Sequence, residues 1–448
     1  MLEMRSKRQK VPSSQDLTSE RQVRRNNVGI APARLTGDPR DNNAPCQFRS
    51  RRTVCLVGAG WRFTSGISYY TCRLANALAN DHNVNVIQMR QLLPRRLYPG
   101  AERVGQPRAR MAYRPDVSVY DGVDWWWGRS LIRALSFMAS RRPDVLVLQW
   151  WTATVLHTYL VLAIAARLGG RCVVLELHEL QDTGEGRFKI ARWYGRWGLG
   201  MLVRLCQGCV VHSTADLKML EAGYSLRNVR TAIARHGPFD QYDATIKHLD
   251  SDEKAISIVR RAPRPSVINL LFFGTIRPYK GLENLLDVFN GLTVDEVSNL
   301  WLTIVGETWE GCTEPARLVA TSPHREHITF VNYYVPDEVV AAAFAHADVV
   351  VLPYHRSSSS GPLQVAMSWG LPIVVTHVGG LPEAATDYDG AVFIPPDDRS
   401  ALKSAIMEAA QMTGRRFADP RSWTESIDAL FLASGLPAAE TRLRKTPT

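Results

Sequence analysis

The sequence predicts an α/β protein built from two doubly wound parallel sheets that face each other across a central cleft. From Arg52 onward, apolar runs of four to eight residues alternate with helix-length periodic segments, which is typical of βαβ units. The alternation weakens between His236 and Pro265 and restarts at Val267, so it divides into two blocks. A chain of 448 residues is long enough for two such domains. Ligands of such sheets bind at the carboxyl ends of the strands, so the cleft is the expected site.

The first block reads as a sheet with helices between its strands. Strands are predicted at Val54–Val57, Val84–Gln88, Val145–Gln149, Cys172–Leu177 and Val210–His212, with helices at Ser68–Leu78 and Val155–Leu168. The Gly58-Ala59-Gly60 turn after the first strand is typical of a strand-to-helix connection.

The second block repeats this pattern. Strands are predicted at Val267–Phe273, Leu300–Val305, Ile328–Val331, Val349–Leu352 and Ile373–Val375, and a helix at the i, i+3, i+4, i+7 spacing of Leu282, Leu285, Leu286 and Phe289. We therefore expect a basic leader over 1–52, domains over 53–237 and 266–415, a linker over 238–265, and a closing helix and tail over 416–448.

Positive charge is concentrated in the leader. Of the formal charge of +11, residues 1–52 contribute +7, from twelve Lys/Arg against five Asp/Glu. The basic character is therefore mostly a property of the leader, and no nucleic acid partner is expected. The leader has no apolar run, which excludes a secretory signal. A disordered tail, a start codon assigned too early and a weak tether to anionic lipid all stay open.

Cysteine use and hydropathy bear on the compartment. The seven cysteines are scattered and odd in number, which is typical of a reducing cytosol. Cys206 and Cys209 form a lone CxxC that favours core packing over a metal or redox role. No run of 18 apolar residues is present, so we expect a cytoplasmic protein, with the inner face of the membrane as the alternative location.

The first candidate site motif is FFGTIRPYKG, residues 272–281. A buried strand ends in glycine, two cations follow three residues apart, and an amphipathic helix begins. Arg277 and Lys280 would suit a diphosphate, since guanidinium groups bind phosphate in a bidentate way and helix amino termini attract anions. A solvated turn with two surface cations is the alternative.

Two further motifs follow in the second block. Four serines, Ser357–Ser360, precede Gly361, Pro362 and an apolar helix, which places hydroxyls and unpaired backbone N–H groups at a helix start. Gly379 and Gly380 follow a strand and permit close backbone approach to a ligand. A flexible polar loop and a simple turn are the respective alternatives.

Taken together and in this order, the motifs resemble family-4 retaining glycosyltransferases of the GT-B fold, which has two Rossmann-like domains. The resemblance covers Val54 to Gly435 and is most specific in FFGTIRPYKG, SSGPLQVAMSWGLPIVVTHVGGLPE and DGAVFIPPDD. It implies that Arg277 and Lys280 bind the donor diphosphate. It also implies that Ser360, Gly361 and Pro362 hold the hexose and phosphate, with Glu383 in the same donor-binding set.

The first block matches this family more loosely. The loop from Val57 to Ser68 looks like the family's glycine-bearing turn, which makes Gly66 the candidate beside donor and acceptor. The strand ending in His178 resembles one whose histidine faces the cleft, which makes His178 a catalytic candidate with Arg277 and Lys280. A hydrogen-bonded surface histidine is the alternative. His212 and His236 follow later strand ends and are interpreted as scaffold and linker.

The sequence departs from the family at two positions. The family usually has two glutamates eight residues apart, for sugar hydroxyls and ribose, and an ungapped match places Ser357 and Val365 there. The serines or Gln364 would substitute in part. The departure leaves a second hypothesis open, a catalytically inactive sugar-nucleotide-binding or scaffold protein. A phosphorylase is a third, although it usually needs a much longer chain.

The function that the resemblance implies is hexosyl transfer with retention from a UDP- or GDP-type sugar, with no metal or other cofactor. The acceptor is a glycan, a lipid-linked saccharide or a small molecule, and a cell-envelope polysaccharide is one such product. Clusters at Trp125–Trp127 and Trp150-Trp151 would stack on sugars, meet a membrane interface or pack in the interior. The basic stretch Arg90–Arg103 would meet an anionic lipid or solvent.

Overall fold

A computed structural model describes residues 51–61, 66–92, 112–180, 189–240, 257–259, 267–309 and 311–437. Several predictions lie outside the described residues. These are the leader up to residue 50, the turn residues Thr64 and Ser65, the basic stretch from residue 93, most of the linker, and the tail from residue 438.

The amino-terminal domain is built on a seven-stranded parallel sheet in the order β3-β2-β1-β4-β5-β6-β7. Its strands are β1 (Thr53–Ala59), β2 (Asn83–Gln91), β3 (Ser118–Asp124), β4 (Val145–Trp150), β5 (Cys172–Leu177), β6 (Gly208–Val211) and β7 (Arg230–Ile233). Its helices are α1 (Gly66–Leu78), α2 (Gly128–Arg141), α3 (Leu156–Leu168), α4 (Lys189–Leu205) and α5 (Thr214–Gly223).

The carboxy-terminal domain has a six-stranded parallel sheet in the order β10-β9-β8-β11-β12-β13. Its strands are β8 (Ile268–Phe273), β9 (Leu300–Val305), β10 (Ile328–Val331), β11 (Val349–Leu352), β12 (Ile373–Thr376) and β13 (Ala391–Ile394). Its helices are α6 (Leu282–Asn290), α7 (Val294–Val297), α8 (Glu314–Ala320), α9 (Asp337–Ala345), α10 (Gly361–Ser368), α11 (Leu381–Ala384) and α12 (Arg399–Ala410).

Burial on both faces explains why the central strands read as continuous apolar runs. Strands β4 and β9 are buried at every position, as expected for parallel strands covered by helices on both sides. In each sheet the strand order reverses beside the first strand, between β1 and β4 and between β8 and β11. Such switch points open a crevice at the carboxyl ends of the strands, where ligands of these sheets bind.

The last helix, α13 (Trp423–Ser434), leaves the second domain and packs on the first. The Trp423 ring lies 5.1 Å from that of Tyr70, and the Phe431 ring lies 4.6 Å from that of His82. The carboxy-terminal segment therefore completes the amino-terminal domain.

Contacts also join the two domains across the cleft, and the described residues all belong to one compact unit. The Tyr69 hydroxyl on α1 donates to Asp337 Oδ2 on α9 over 2.6 Å. The Thr214 backbone N–H donates to the Glu383 carboxylate over 2.6 Å. The cleft is thus bridged in at least two places.

The tryptophan clusters are mixed in their surroundings. Trp150 is buried, and the Trp127 indole N–H donates to the Thr158 hydroxyl, whereas Trp126 is exposed.

All six cysteines among the described residues are free thiols, and both members of the CxxC are buried. Among the helices that the structure describes, none is long and apolar enough to cross a bilayer.

Candidate functional site

Two adjoining cavities lie at the strand ends between the domains. The first, of about 370 Å³, is lined from the amino-terminal domain by Gly66 and His178 and from the carboxy-terminal domain by Lys280, Gly361 and Pro362. The second, of about 360 Å³, is lined by Arg277, by Gly379 and by Ser357–Ser359 of the loop before α10, which we call the serine loop. Glu179 lines both. Seven of the eight predicted site residues therefore belong to one cleft or, like Ser360, to the helix that borders it.

Lys280 is the buried cation of the first cavity. It ends a short 3-10 turn after β8 and is almost fully covered. Burial, with a smaller contribution from the charge of Arg277, lowers the pKa of Lys280 to about 7. Its ammonium lies 5.5 Å from the centre of the Tyr354 ring. A buried ammonium without a carboxylate partner within the described residues is suited to an anionic ligand.

Gly274 makes room for this ammonium. Its φ of +116° is unfavourable for other residues, and a β-carbon there would lie 2.7 Å from Lys280 Nζ and 3.3 Å from Pro362 Cγ. The glycine at the end of β8 thus allows the lysine and the start of α10 to approach each other.

Arg277 faces the second cavity from the other side of the same turn. Its guanidinium carbon lies 4.9 Å from the centre of the Trp309 ring, a cation–π contact that fixes the side chain. The two cations of the motif therefore serve adjoining compartments of one cleft.

The start of α10 points into the first cavity. Ser360 is its N-cap, and the Ser360 hydroxyl accepts from the Leu363 backbone N–H over 3.2 Å. Gly361 and Pro362 form the first turn and line the cavity. Pro362 has no N–H, and the Leu363 and Gln364 N–H groups bond to Ser360, so among the described residues the Gly361 N–H is the donor left at this helix end. It lies with the partial positive charge of the helix on the same side as Lys280.

The two glycines after β12 support the serine loop. Gly379 has a φ of +55°, and a β-carbon on it would lie 1.8 Å from the Ser357 carbonyl oxygen. The close approach predicted for these glycines is therefore made to the protein's own backbone, at the wall of the second cavity.

Glu383 lies apart from both cavity walls, at the contact with Thr214 described above. Burial first, and then the charge of Glu383, raise the pKa of Asp216 on α5 to about 6, against a lowering hydrogen bond from Ser213. In this arrangement the carboxylate of Glu383 joins the domains.

Three histidines form a stack at successive strand ends. His178 follows β5, His212 follows β6 and His236 follows β7. The rings of His178 and His212 are 4.6 Å apart and those of His212 and His236 are 3.9 Å apart. His178 and His236 line the first cavity, and a hydrogen bond of 3.2 Å joins His178 Nδ1 to His236 Nε2. His236 therefore lines the site together with His178, whereas His212 packs against both rings and lines neither cavity.

A buried carboxylate lies beneath this stack. Glu176 accepts from the Tyr70 hydroxyl over 2.6 Å and from Gln149 Nε2 over 3.0 Å, and His178 Nε2 is 3.7 Å away. Burial alone would raise the pKa of Glu176, but hydrogen bonds and nearby histidine charge lower it to about 2. The ionised carboxylate orients His178 from behind.

The histidine stack also bears on metal binding. Within the described residues, these three histidines are the one group of three His, Cys, Asp or Glu side chains close enough to hold a metal ion, with ligand atoms within 4.8 Å of one another. The planes of the three rings are inclined to one another by 27–33°. Burial, aided by the charge of His178, lowers the pKa of His212 to about 4, so this ring is neutral at pH 7.

The positions of the two missing glutamates lie at the cavities. Val365 lines the first and Ser357 the second. Gln364 also lines the first cavity and is buried; its side-chain oxygen accepts from Arg421. Since a guanidinium only donates, the Gln364 amide nitrogen must face away, and it has no partner within the described residues.

Two facing parallel sheets with a cleft at their strand ends form the GT-B architecture. A family match and a related sequence identify the chain as a glycosyltransferase with this fold. Residues 268–412, which hold Arg277, Lys280 and Ser360, match the Glycosyl transferases group 1 family. The matched segment is the carboxy-terminal domain from β8 to just beyond α12.

Known proteins support the same class. The chain is 27% identical over 282 residues to GDP-mannose:glycolipid 4-beta-D-mannosyltransferase of Xanthomonas campestris pv. campestris. The aligned segment covers 62% of this chain and 67% of that protein. Its fold is similar to that of sucrose-phosphate synthase from Thermosynechococcus elongatus, with a TM-score of 0.54 at 15% identity over 86% of this chain and 95% of that one. Anabaena HepE in complex with UDP gives a TM-score of 0.53 at 14% identity over 86% and 95% of the chains.

Proposed function

We propose that this enzyme transfers a hexosyl group from a nucleoside diphosphate sugar, and that the donor diphosphate lies between Lys280 and the start of α10. The observation that carries this proposal is the buried ammonium at a cavity that holds Gly66 on one wall and Gly361 on the other. A dianionic diphosphate would supply the counter-charge that Lys280 lacks, and Arg277 would extend the positive surface toward the second cavity.

The chemistry of the leaving group follows from this placement. The bond between the anomeric carbon and the phosphate oxygen breaks, and its electron pair passes to the departing nucleoside diphosphate. Lys280, Arg277 and the Gly361 N–H at the start of α10 stabilise the charge that develops there, so we expect no requirement for a metal. The Gln364 amide nitrogen and the Gly361 N–H are placed to meet sugar or phosphate oxygens.

We infer a membrane-bound or glycan acceptor, with a glycolipid as the first candidate. The X. campestris protein similar to this chain is named for a glycolipid acceptor and a GDP-mannose donor. A glycolipid and GDP-mannose are therefore the first acceptor and donor to test. UDP sugars should be tested beside them, because HepE was solved with UDP. Action at the inner face of a membrane, on a cell-envelope glycan, fits this acceptor.

For the stereochemistry we propose retention. In that route the departing phosphate accepts the proton of the acceptor hydroxyl as the new glycosidic bond forms on the same face, and no side-chain base is needed. His178, held by Glu176 and His236, would orient the transferred sugar.

A specific observation favours inversion as the second candidate. Glu179 lines both cavities and could take the acceptor proton, and the name of the X. campestris protein specifies a β-linkage. Proton NMR of the first product formed from a donor of known anomeric configuration separates the two routes. The same configuration in donor and product supports retention, and the opposite one refutes it.

Donor turnover tests the proposed function. The purified enzyme is incubated with GDP-mannose and a panel of other GDP and UDP sugars, with a bacterial lipid extract as acceptor, and nucleoside diphosphate release is measured. We expect release with at least one donor, and a loss of about 100-fold or more in kcat/KM for Lys280→Ala. Lys403→Ala is the matched control, because Lys403 is a surface lysine of α12 paired with Glu296. Equal turnover by Lys280→Ala and wild type would refute the role of Lys280.

A further inference from the structure

Helix α4 presents aromatic side chains to solvent. Trp193 is 66% exposed, Trp197 54% and Tyr194 37%. The two indole rings are stacked, with centres 5.9 Å apart and planes at 8°. Large aromatic side chains rarely stay this exposed unless they meet a partner, and an adjacent stacked pair forms a continuous apolar surface.

The exposed aromatics are not needed for the fold of this helix. Its opposite side is covered: Leu199, Leu202 and Val203 are buried, and a β-carbon on Gly198 would lie 1.9 Å from Leu156 Cδ2 of the preceding helix. Helix α4 therefore has one apolar face in the core and a second apolar surface outside it.

The charge of the helix indicates what covers that surface. The sequence of α4 contains four basic residues, Lys189, Arg192, Arg196 and Arg204, and no Asp or Glu. Arg196 lies between Trp193 and Trp197 in the sequence and is itself exposed, as is Arg204. A surface that contains tryptophan, tyrosine and arginine, and no acidic residue, favours the headgroup region of an anionic bilayer.

The position of the helix relates this surface to the cleft. In a parallel α/β unit the helix starts on the side where the preceding strand ends, and β5 is followed directly by His178 and Glu179 at the cavities. Trp193 and Trp197 are the fifth and ninth residues of α4, so they lie within about 12 Å of its start along the helix axis.

We propose that α4 docks this enzyme on an anionic lipid surface, with Trp193, Tyr194 and Trp197 in the interfacial layer and Arg196 at lipid phosphates. The surface holds the mouth of the cleft at the bilayer, where a lipid-linked acceptor enters. The acceptor's role rests on the function proposed above, but the docking surface itself does not.

Vesicle co-sedimentation of the full chain tests the proposal. Wild type, the double variant Trp193→Ser/Trp197→Ser and Arg196→Glu are mixed with phosphatidylcholine vesicles, with or without phosphatidylglycerol. We expect wild type to sediment with the anionic vesicles, and both variants to lose about tenfold in vesicle affinity. Val294→Ser, at a residue 77% exposed on α7 in the other domain, is the control and should bind as wild type.

Two further measurements keep the outcomes distinct. Release of nucleoside diphosphate from the donor without vesicles should be unchanged in the α4 variants, which shows that they fold and that docking and donor chemistry are separate. Analytical ultracentrifugation checks the alternative occupant, a second copy of the chain. The proposal is overturned if wild type does not sediment with anionic vesicles, or if the double variant sediments as wild type does. It is also overturned if the double variant abolishes a dimer that wild type forms.

Discussion

The charged form of Lys280 is disfavoured in the free protein and favoured when a diphosphate is bound. Burial and the neighbouring Arg277 lower its pKa to about 7, so at pH 7 only part of the population carries the charge. A bound diphosphate favours the charged form and so raises the pKa of Lys280 again. Binding of the donor and binding of a proton are therefore coupled at this residue.

Diphosphate affinity should consequently fall as the pH rises above about 7. Below that pH the free Lys280 already holds its proton, whereas above it each binding event must take one up. Calorimetry at pH 8 in two buffers with different ionisation enthalpies should show an uptake close to one proton in wild type. In Lys280→Met this contribution should vanish. Equal proton uptake in both proteins would contradict the coupling.

The same shift has a consequence for stability. Because the pKa of Lys280 is lower in the folded chain than in the unfolded one, the unfolded chain binds more protons between about pH 7 and the ordinary lysine value. The contribution of Lys280 to the free energy of unfolding is therefore least favourable below pH 7, and it becomes more favourable as the pH rises through that range. Lys280→Met should unfold at a higher temperature than wild type at pH 7 although it has lost activity. A lower unfolding temperature would contradict the cost assigned to this buried ammonium.

Gln364 is the residue expected to replace part of the missing carboxylate pair. Gln364→Glu keeps an oxygen toward Arg421 and removes the unpartnered N–H donor. We expect donor KM to rise by about tenfold or more, since one hydrogen bond to the donor is lost and a negative charge is placed near its phosphates. Gln411→Glu, on the exposed end of α12, makes the same chemical change away from the cleft and should leave KM as in wild type. An unchanged KM in Gln364→Glu would exclude a donor contact.

Single residues were predicted best where a local motif carried the information. Lys280, Gly361 and Pro362 were predicted from the strand–loop–helix pattern around them, and all three line the cavity. The histidine stack was missed because its members are 34 and 24 positions apart, in three separate strand ends. Only the sheet order β5-β6-β7 brings them together. A histidine within three residues of each of three consecutive strand ends is the signal that could have found them.

At the scale of elements, the start of α10 has two roles, since Ser360 caps the helix and the same turn borders the donor cavity. Ser360→Ala should cost about 1 kcal/mol of stability and also weaken diphosphate binding, because the first turn loses its fixed geometry. Denaturant unfolding and calorimetry measure the two effects. Ser298→Ala removes an exposed hydroxyl bond at the end of α7 and should affect neither strongly. Full diphosphate affinity in Ser360→Ala would argue against this helix end as the anion site.

Most elements with continuous apolar runs were predicted, although the short strand β13 (AVFI) was not. The buried strands β1, β4, β5, β8 and β9 follow the expected positions closely. Strand β3 (SVYDGVD) lies at a sheet edge and α4 contains three glycines, so neither has the pattern of a buried strand or an ordinary helix. Helix α13 was expected, but its return to the first domain depends on tertiary packing that periodicity does not encode.

For the whole molecule, the cleft contact between Tyr69 and Asp337 should favour the closed arrangement of the domains. Tyr69→Phe removes the hydroxyl and should admit water more easily, so the ratio of donor hydrolysis to sugar transfer should rise several-fold. Tyr120→Phe removes a hydroxyl bond to Ser130 within one domain and is the control. The two products, free sugar and glycosylated acceptor, are quantified by chromatography. A ratio equal to that of wild type would show that this contact does not guard the cleft.

The account as a whole depends on the diphosphate site between the two domains. Calorimetric titration of UDP and GDP into wild type and Lys280→Ala tests it most directly. We predict that at least one nucleoside diphosphate binds wild type, and that Lys280→Ala weakens this binding by about thirtyfold or more, as expected for loss of a charge-assisted contact in a buried site. Failure of both nucleotides to bind wild type, or equal binding by wild type and Lys280→Ala, would contradict the central claim.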